Sequence, residues 1–193
     1  MRRLVLLFAA SVVACGPRAA ESDTSLPSAG AQKPADEDTV AGGIWGACYE
    51  GFQPSGNAKT DLGRITRSCG KTGGMRAITP VKEAKQGERD PADRYTFYVP
   101  SAGACYRVYA TGDKDVADLD LLLRGLDGED MVADISHDSF PVLPPDGPMC
   151  FQVPGLYMLE VSVFRGGGGY ALQVWGNPKG LTRDSEKTSQ KSR

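Results

Sequence analysis

Four carboxylates stand within eight residues, at Asp113, Asp115, Asp118 and Asp120. Hard oxygen donors at that density suit Ca²⁺, which takes about six to eight oxygens. On a strand, Asp118 and Asp120 are i and i+2 and point to one face, so they are the ligands expected to carry such a site. The plainer reading is a row of solvated acids that stops a sheet edge from pairing. Ser136, His137 and Asp138 are the residue types of a hydrolase triad. Being consecutive they do not read as one, since triad members meet from different elements. No G-x-S-x-G turn accompanies them. His137 is the single histidine, which excludes any metal or catalytic arrangement built on two imidazoles. Cys48, Cys69, Cys105 and Cys150 contain no C-x-x-C pair and read as disulfides rather than a zinc site. Trp45, Tyr98, Tyr109 and Trp175 could form an aromatic binding face or close a seam between helices and a sheet. The glycines after Arg165 lack the lysine and helix of a phosphate loop and read as a turn. No nucleophile with a base emerges, so no catalytic residue and no enzymatic activity are expected.

The elements that must position these residues begin after an address. Arg2 and Arg3 precede a ten-residue, largely apolar run, Leu4 to Val13, too short to span a bilayer and built like the core of a secretory signal. The following Val12-Val13-Ala14-Cys15 resembles the lipobox of bacterial lipoproteins. That resemblance implies cleavage before Cys15, acylation of its thiol and new amine, and anchoring to a membrane by several chains. Gly16, rather than an aspartate, follows the cysteine and favours the outer membrane. Removing residues 1–14 takes away two arginines and no acid, so the formal charge moves from −2 to −4. No basic block provides the footprint of a nucleic-acid binder.

Residues 15–43 are rich in Ala, Ser, Pro, Asp and Glu and read as a flexible tether, spanning an r.m.s. distance of about 30 Å. Residues 44–80 read as a short helical, cysteine-bearing segment. Trp45, Cys48, Tyr49 and Phe52 recur at helical spacing, and a second helix is expected with Thr60 or Asp61 as cap and Gly70 at its stop. From residue 81 to 176 the period is two: Tyr95, Phe97, Val99; Leu119, Leu121, Leu123; Tyr157, Leu159, Val161, Val163. Asp127-Gly128 marks a hairpin, and Gly166 to Gly169 is expected to separate two strands. Residues 177–193 form a mildly basic tail expected to be disordered. The fold expected is mostly β, an antiparallel jelly-roll-like sandwich behind a disulfide-stapled helical segment.

Strand parity limits the disulfide choices. With Tyr106, Val108, Phe151 and Val153 inward, Cys105 and Cys150 share the other face, leaving Cys48 to join Cys69.

The run Asp118-Leu-Asp-Leu-Leu-Leu-Arg-Gly-Leu-Asp-Gly128, then Pro154-Gly-Leu-Tyr157, then Gly169-Tyr-Ala-Leu-Gln-Val174 is similar in order and spacing to bacterial pre-peptidase C-terminal domains. The resemblance spans about Tyr95 to Trp175. It implies a small antiparallel sandwich that accompanies secreted proteases or binds matrix and carbohydrate, sometimes with calcium. The folded part as a whole also resembles small lipoproteins of predatory soil bacteria. The expected role is a non-enzymatic envelope lipoprotein whose sandwich binds a polysaccharide or a protein. The alternative is an accessory lipoprotein that packs on a protein partner without a ligand.

Overall fold

Alternation of apolar and polar residues produces nine strands in the computed structural model, which describes residues 43–134 and 136–181. The signal segment, Cys15, nearly all of the tether and the tail beyond 181 lie outside the described residues. Two helices come first, α1 (Gly43–Ala47) and α2 (Ala58–Cys69). The strands are β1 (Arg76–Ala77), β2 (Lys82–Gly87), β3 (Asp93–Val99), β4 (Cys105–Gly112), β5 (Val116–Arg124), β6 (Asp130–Ala133), β7 (Val142–Leu143), β8 (Met149–Cys150) and β9 (Gly155–Asn177). All pairings are antiparallel, and no described helix is long and apolar enough to cross a membrane.

Strand β9 organises both layers. Its first half lies between β3 and β5, with β6 beyond β5. Its second half lies between β4 and the pair β1 and β2, with β7 and β8 on the outer edge of β4. The glycine run is therefore not a turn between two strands, as the sequence suggests, but the corner where one strand passes from sheet to sheet. Its physical basis is close approach: a Cβ on Gly166, at φ +95°, would stand 2.3 Å from the Asp115 carbonyl oxygen, and one on Gly168 would stand 2.3 Å from Asp113 Oδ1. Near that corner Gln86 of β2 supplies the hydrogen bonds a missing strand would make. Its Oε1 accepts from Val163 N–H at 2.6 Å, and its Nε2 donates to the carbonyl oxygens of Pro91 and Val161.

The inward faces bury Phe97, Tyr106, Val108, Leu119, Leu121, Leu123, Phe151, Tyr157, Leu159, Val161, Leu172 and Val174. A second apolar layer forms where Leu62, Ile65 and Cys69 of α2 meet Tyr109, Val142 and Ala171 on the outer face of the β4 sheet. Asn57, not Thr60 or Asp61, caps α2 and accepts from Thr60 N–H at 2.9 Å. Asp61 is buried within the helix, bound by Ser55, the Gly56 N–H and Arg64. Burial opposes its charge, but these bonds outweigh that cost and hold its carboxyl below the ordinary range. The first helix stops at Ala47, because the chain turns before Gly51, at φ +68°.

Disulfides join Cys48 to Cys69 and Cys105 to Cys150, with Cα separations of 5.2 and 3.9 Å. Cys105 and Cys150 are direct register partners of β4 and β8. Val153 does not face the core as the parity argument assumed; it is exposed beyond the end of β8.

Candidate functional site

Strand direction gives the domain two poles. β4 starts beside Asn177, where the chain leaves β9, and ends at Gly112 beside Tyr170, close to the β9 corner. At the second pole Asp113 fixes the corner, accepting from Gly169 N–H at 2.6 Å and from Asp115 N–H at 3.0 Å. Lys114 N–H donates to the Gly56 carbonyl, which ties this turn to the start of α2. Between these parts lies a cleft of about 490 Å³, lined by Asn57, Lys59, Glu83, Lys85, Asp113 and Lys114 among others. Its volume is that of a small-ligand or polymer subsite. Lys59 pairs with Glu83 at 2.7 Å, and Lys114 lies 3.7 Å from Asp115. The lining thus carries three lysines against two carboxylates, Glu83 and Asp113, and among the described residues Lys85 is the lysine there with no ion-pair partner. Sequence reading missed this site, because its lysines come from α2, β2 and the β4–β5 turn, with no shared motif.

The four aspartates expected to hold calcium do not meet. Asp113 is committed to the corner and Asp115 is exposed near Lys114. Register irregularities on both sides of Asp118 separate it from that turn. Asp118 and Asp120 instead lie near Asp134 and His137, on the segment following β6. Asp118 is 2% exposed, with His137 Nδ1 at 3.5 Å from one oxygen and no hydrogen-bond partner on the other. Among the described residues no three His, Cys, Asp or Glu side chains are arranged to hold a metal ion. The calcium expectation for Asp113, Asp115, Asp118 and Asp120 is corrected accordingly.

This grouping has a pH signature. Burial, then the charges of Asp118 and Asp134, push the Asp120 carboxyl above its ordinary range, and burial also raises Asp134 despite bonds from Ser136. A group that holds its proton more tightly when folded stabilises the fold below its ordinary pKa and loses that contribution as pH rises through the raised value. Asp120→Asn is therefore expected to be more stable than the wild type near neutral pH, by less than about 1 kcal/mol at this partly solvated position. The gap should close as both proteins are melted at pH values approaching the ordinary carboxylate range. A less stable variant at neutral pH would contradict the repulsion argument.

Ser136, His137 and Asp138 are used separately. Ser136 Oγ donates to Asp134 Oδ2 at 2.9 Å, His137 is nearest to Asp118, and Asp138 Oδ1 accepts from Phe140 N–H. The aromatic set also divides. Trp45, Tyr109 and Trp175 sit in the seam between the helices and the β4 sheet, around the buried Arg107, while Tyr98 is 61% exposed on the opposite sheet. They cannot form one binding face, because successive outward positions of different sheets point away from each other.

The outer face containing Tyr98 carries no helix among the described residues. Tyr98 and Leu156 are cross-strand partners near its end, and a polar belt follows four rungs on. There Arg94 Nε binds Glu160 at 2.8 Å, Arg124 binds Glu160 at 3.0 Å, and Arg124 also pairs with Asp130. Burial opposes the charge on Glu160, but both arginines hold its carboxyl below the ordinary range.

No family model matches the chain, and no curated protein matches it. Among solved structures it is similar to the pre-peptidase C-terminal domain of a collagenase from Bacillus anthracis, at 19% sequence identity with a TM-score of 0.40, over 50% of this chain and 89% of that one.

Proposed function

We propose that the chain is a lipid-anchored envelope protein of the outer membrane whose β-sandwich is a non-enzymatic binding module for an anionic polysaccharide. The observation that carries this reading is the cleft between α2, β2 and the β9 corner, with Lys59, Lys85 and Lys114 at its walls. Ammonium groups on separate rigid elements meet carboxylated sugars without a covalent step, and the tether supplies reach. The lipobox-like Val12-Val13-Ala14-Cys15 supports export and acylation, and the motif order similar to pre-peptidase C-terminal domains supports a binding role.

Two measurements test the parts. Metabolic labelling with an alkyne fatty acid is expected to mark the wild type and not Cys15→Ala; label on that variant would end the anchor reading. Titration of residues 16–193 with polygalacturonate, against neutral dextran, is expected to show binding to the acidic polymer alone. Lys85→Glu with Lys114→Glu should weaken it at least about tenfold, and salt should weaken it further. Equal binding of both polymers, or no effect of charge reversal, would remove the cleft from the reading. A single stable protein partner in an envelope pull-down, with no polymer bound, would favour the accessory role.

A further inference from the structure

We propose that the pole from which both chain ends leave the domain docks on the surface of an anionic phospholipid bilayer. Trp45, two residues into α1, and Leu181 both pack on Gly73: a Cβ there would meet the Trp45 ring at 2.5 Å and Leu181 Cδ2 at 3.0 Å. The entering and leaving chain are therefore neighbours. Ser101 Oγ donates to the Pro178 carbonyl at 3.2 Å, so the exit also lies beside the β3–β4 connection.

That connection borders an apolar surface. Tyr98, 61% exposed, and Leu156, 59% exposed, face each other across β3 and β9 one rung from the strand ends. Val153 is exposed just before β9, and Leu126, also exposed, rests on Gly155. A tyrosine with a few aliphatic side chains suits the boundary of headgroups and acyl chains, where the ring is half in water.

Charge favours the same occupant. Lys71, Arg76 and Lys179 are exposed on the segments that meet at this pole. Beyond Leu181 the sequence adds Arg183, Lys187, Lys191 and Arg193 against Asp184 and Glu186, although the chain as a whole is at −2. Asp127, Glu129 and Asp130 follow Leu126 in the chain, the last of them paired with Arg124. Basic residues at the same pole as a small apolar surface are the combination that adds headgroup attraction to shallow insertion.

The inference rests on the proposed anchor for its location. An acylated Cys15 holds this pole within about a tether length of the lipid, which converts weak surface attraction into an intramolecular event. The polar cleft then lies at the far end of β4, roughly 23 Å away along the strand, turned from the membrane.

The test uses residues 16–193, which lack the acylated cysteine and keep the described domain. Co-sedimentation is measured with vesicles of phosphatidylcholine alone and with about one-third phosphatidylglycerol. The protein is expected to partition onto the anionic vesicles in a salt-sensitive way and to remain in solution with the neutral ones. Tyr98→Ser with Leu156→Ser should lower the partition coefficient about tenfold with unchanged melting, both side chains being exposed. Ending the chain at Leu181 should reduce the preference for the anionic vesicles without touching the folded part. Absence of partitioning, or a double variant that binds like the wild type, overturns the proposal. Fatty-acid label that persists on Cys15→Ala, or is absent from the wild type, would instead end the anchor reading and leave the vesicle result standing.

Discussion

Replacing Arg107 with methionine is expected to lower the unfolding free energy by about 3 kcal/mol, because three carbonyls lose their donor at roughly 1–3 kcal/mol each, less where water reaches them. Arg107 is fully buried, on the outer face of β4, and among the described residues it has no carboxylate partner. Its guanidinium is held by dipoles and rings. Nε donates to the Pro144 carbonyl at 2.9 Å, one terminal nitrogen to the Trp45 carbonyl at 3.0 Å, and the other to the Pro145 carbonyl. The rings of Trp45, Tyr49 and Tyr109 lie 5.5 to 5.7 Å from its carbon. Methionine keeps the stem but leaves three carbonyls without their donor. Arg107→Lys should also fail, because one ammonium cannot reproduce the planar fork. Tyr109→Phe is the contrast: its buried hydroxyl has no hydrogen-bond partner, so removing it should cost little or nothing. Denaturant titration followed by tryptophan fluorescence checks all three. A change under about 1 kcal/mol for Arg107→Met would show that the apolar contacts of α2 with Tyr109, Val142 and Ala171 hold the helical layer without the guanidinium.

Removal of the other bridge, as Cys105→Ala with Cys150→Ala, is expected to cost about 4 kcal/mol by the chain-entropy argument for a separation of 45 residues. Its local role is specific. β8 has only two residues, and β4 is its sole partner among the described pairings, so the edge strand depends on the bridge. Equilibrium unfolding of the variant should show the loss, with hydrogen exchange speeding first around Met149. Non-reducing peptide mapping of the wild type should recover the Cys105–Cys150 peptide; a Cys69–Cys105 peptide would refute the pairing. Arg107 lies two residues from Cys105, so the two substitutions share neighbours and should not be additive.

The alternation of Phe97, Leu119, Leu121, Leu159 and Val161 was enough to predict half-buried strands, because the two-residue repeat of a strand is a property of the backbone alone. Asp127-Gly128 marked its hairpin for the same local reason: Gly128 takes φ +87°, which glycine adopts freely. Parity also placed Cys105 and Cys150 on one side, although Val153 proved exposed. The sequence could not reveal that one strand serves both sheets. A glycine run reads equally as turn or corner, and the choice depends on Asp113, Asp115 and Gln86 arriving from elsewhere to bond the bent backbone. The aspartates were legible as a cluster but not as a geometry, because a register irregularity around Asp118 gave it to Asp134 and His137 and left Asp113 at the corner. Arg107 gave no signal, since nothing in the neighbouring sequence shows that Trp45, Tyr49 and the Pro144-Pro145 turn will close around it. Periodicity and turn chemistry act over a few residues and are written in order along the chain. Burial of a charge, convergence of lysines on a cleft and the meeting of both chain ends at one pole are sums over distant segments, and only the tertiary structure decided them.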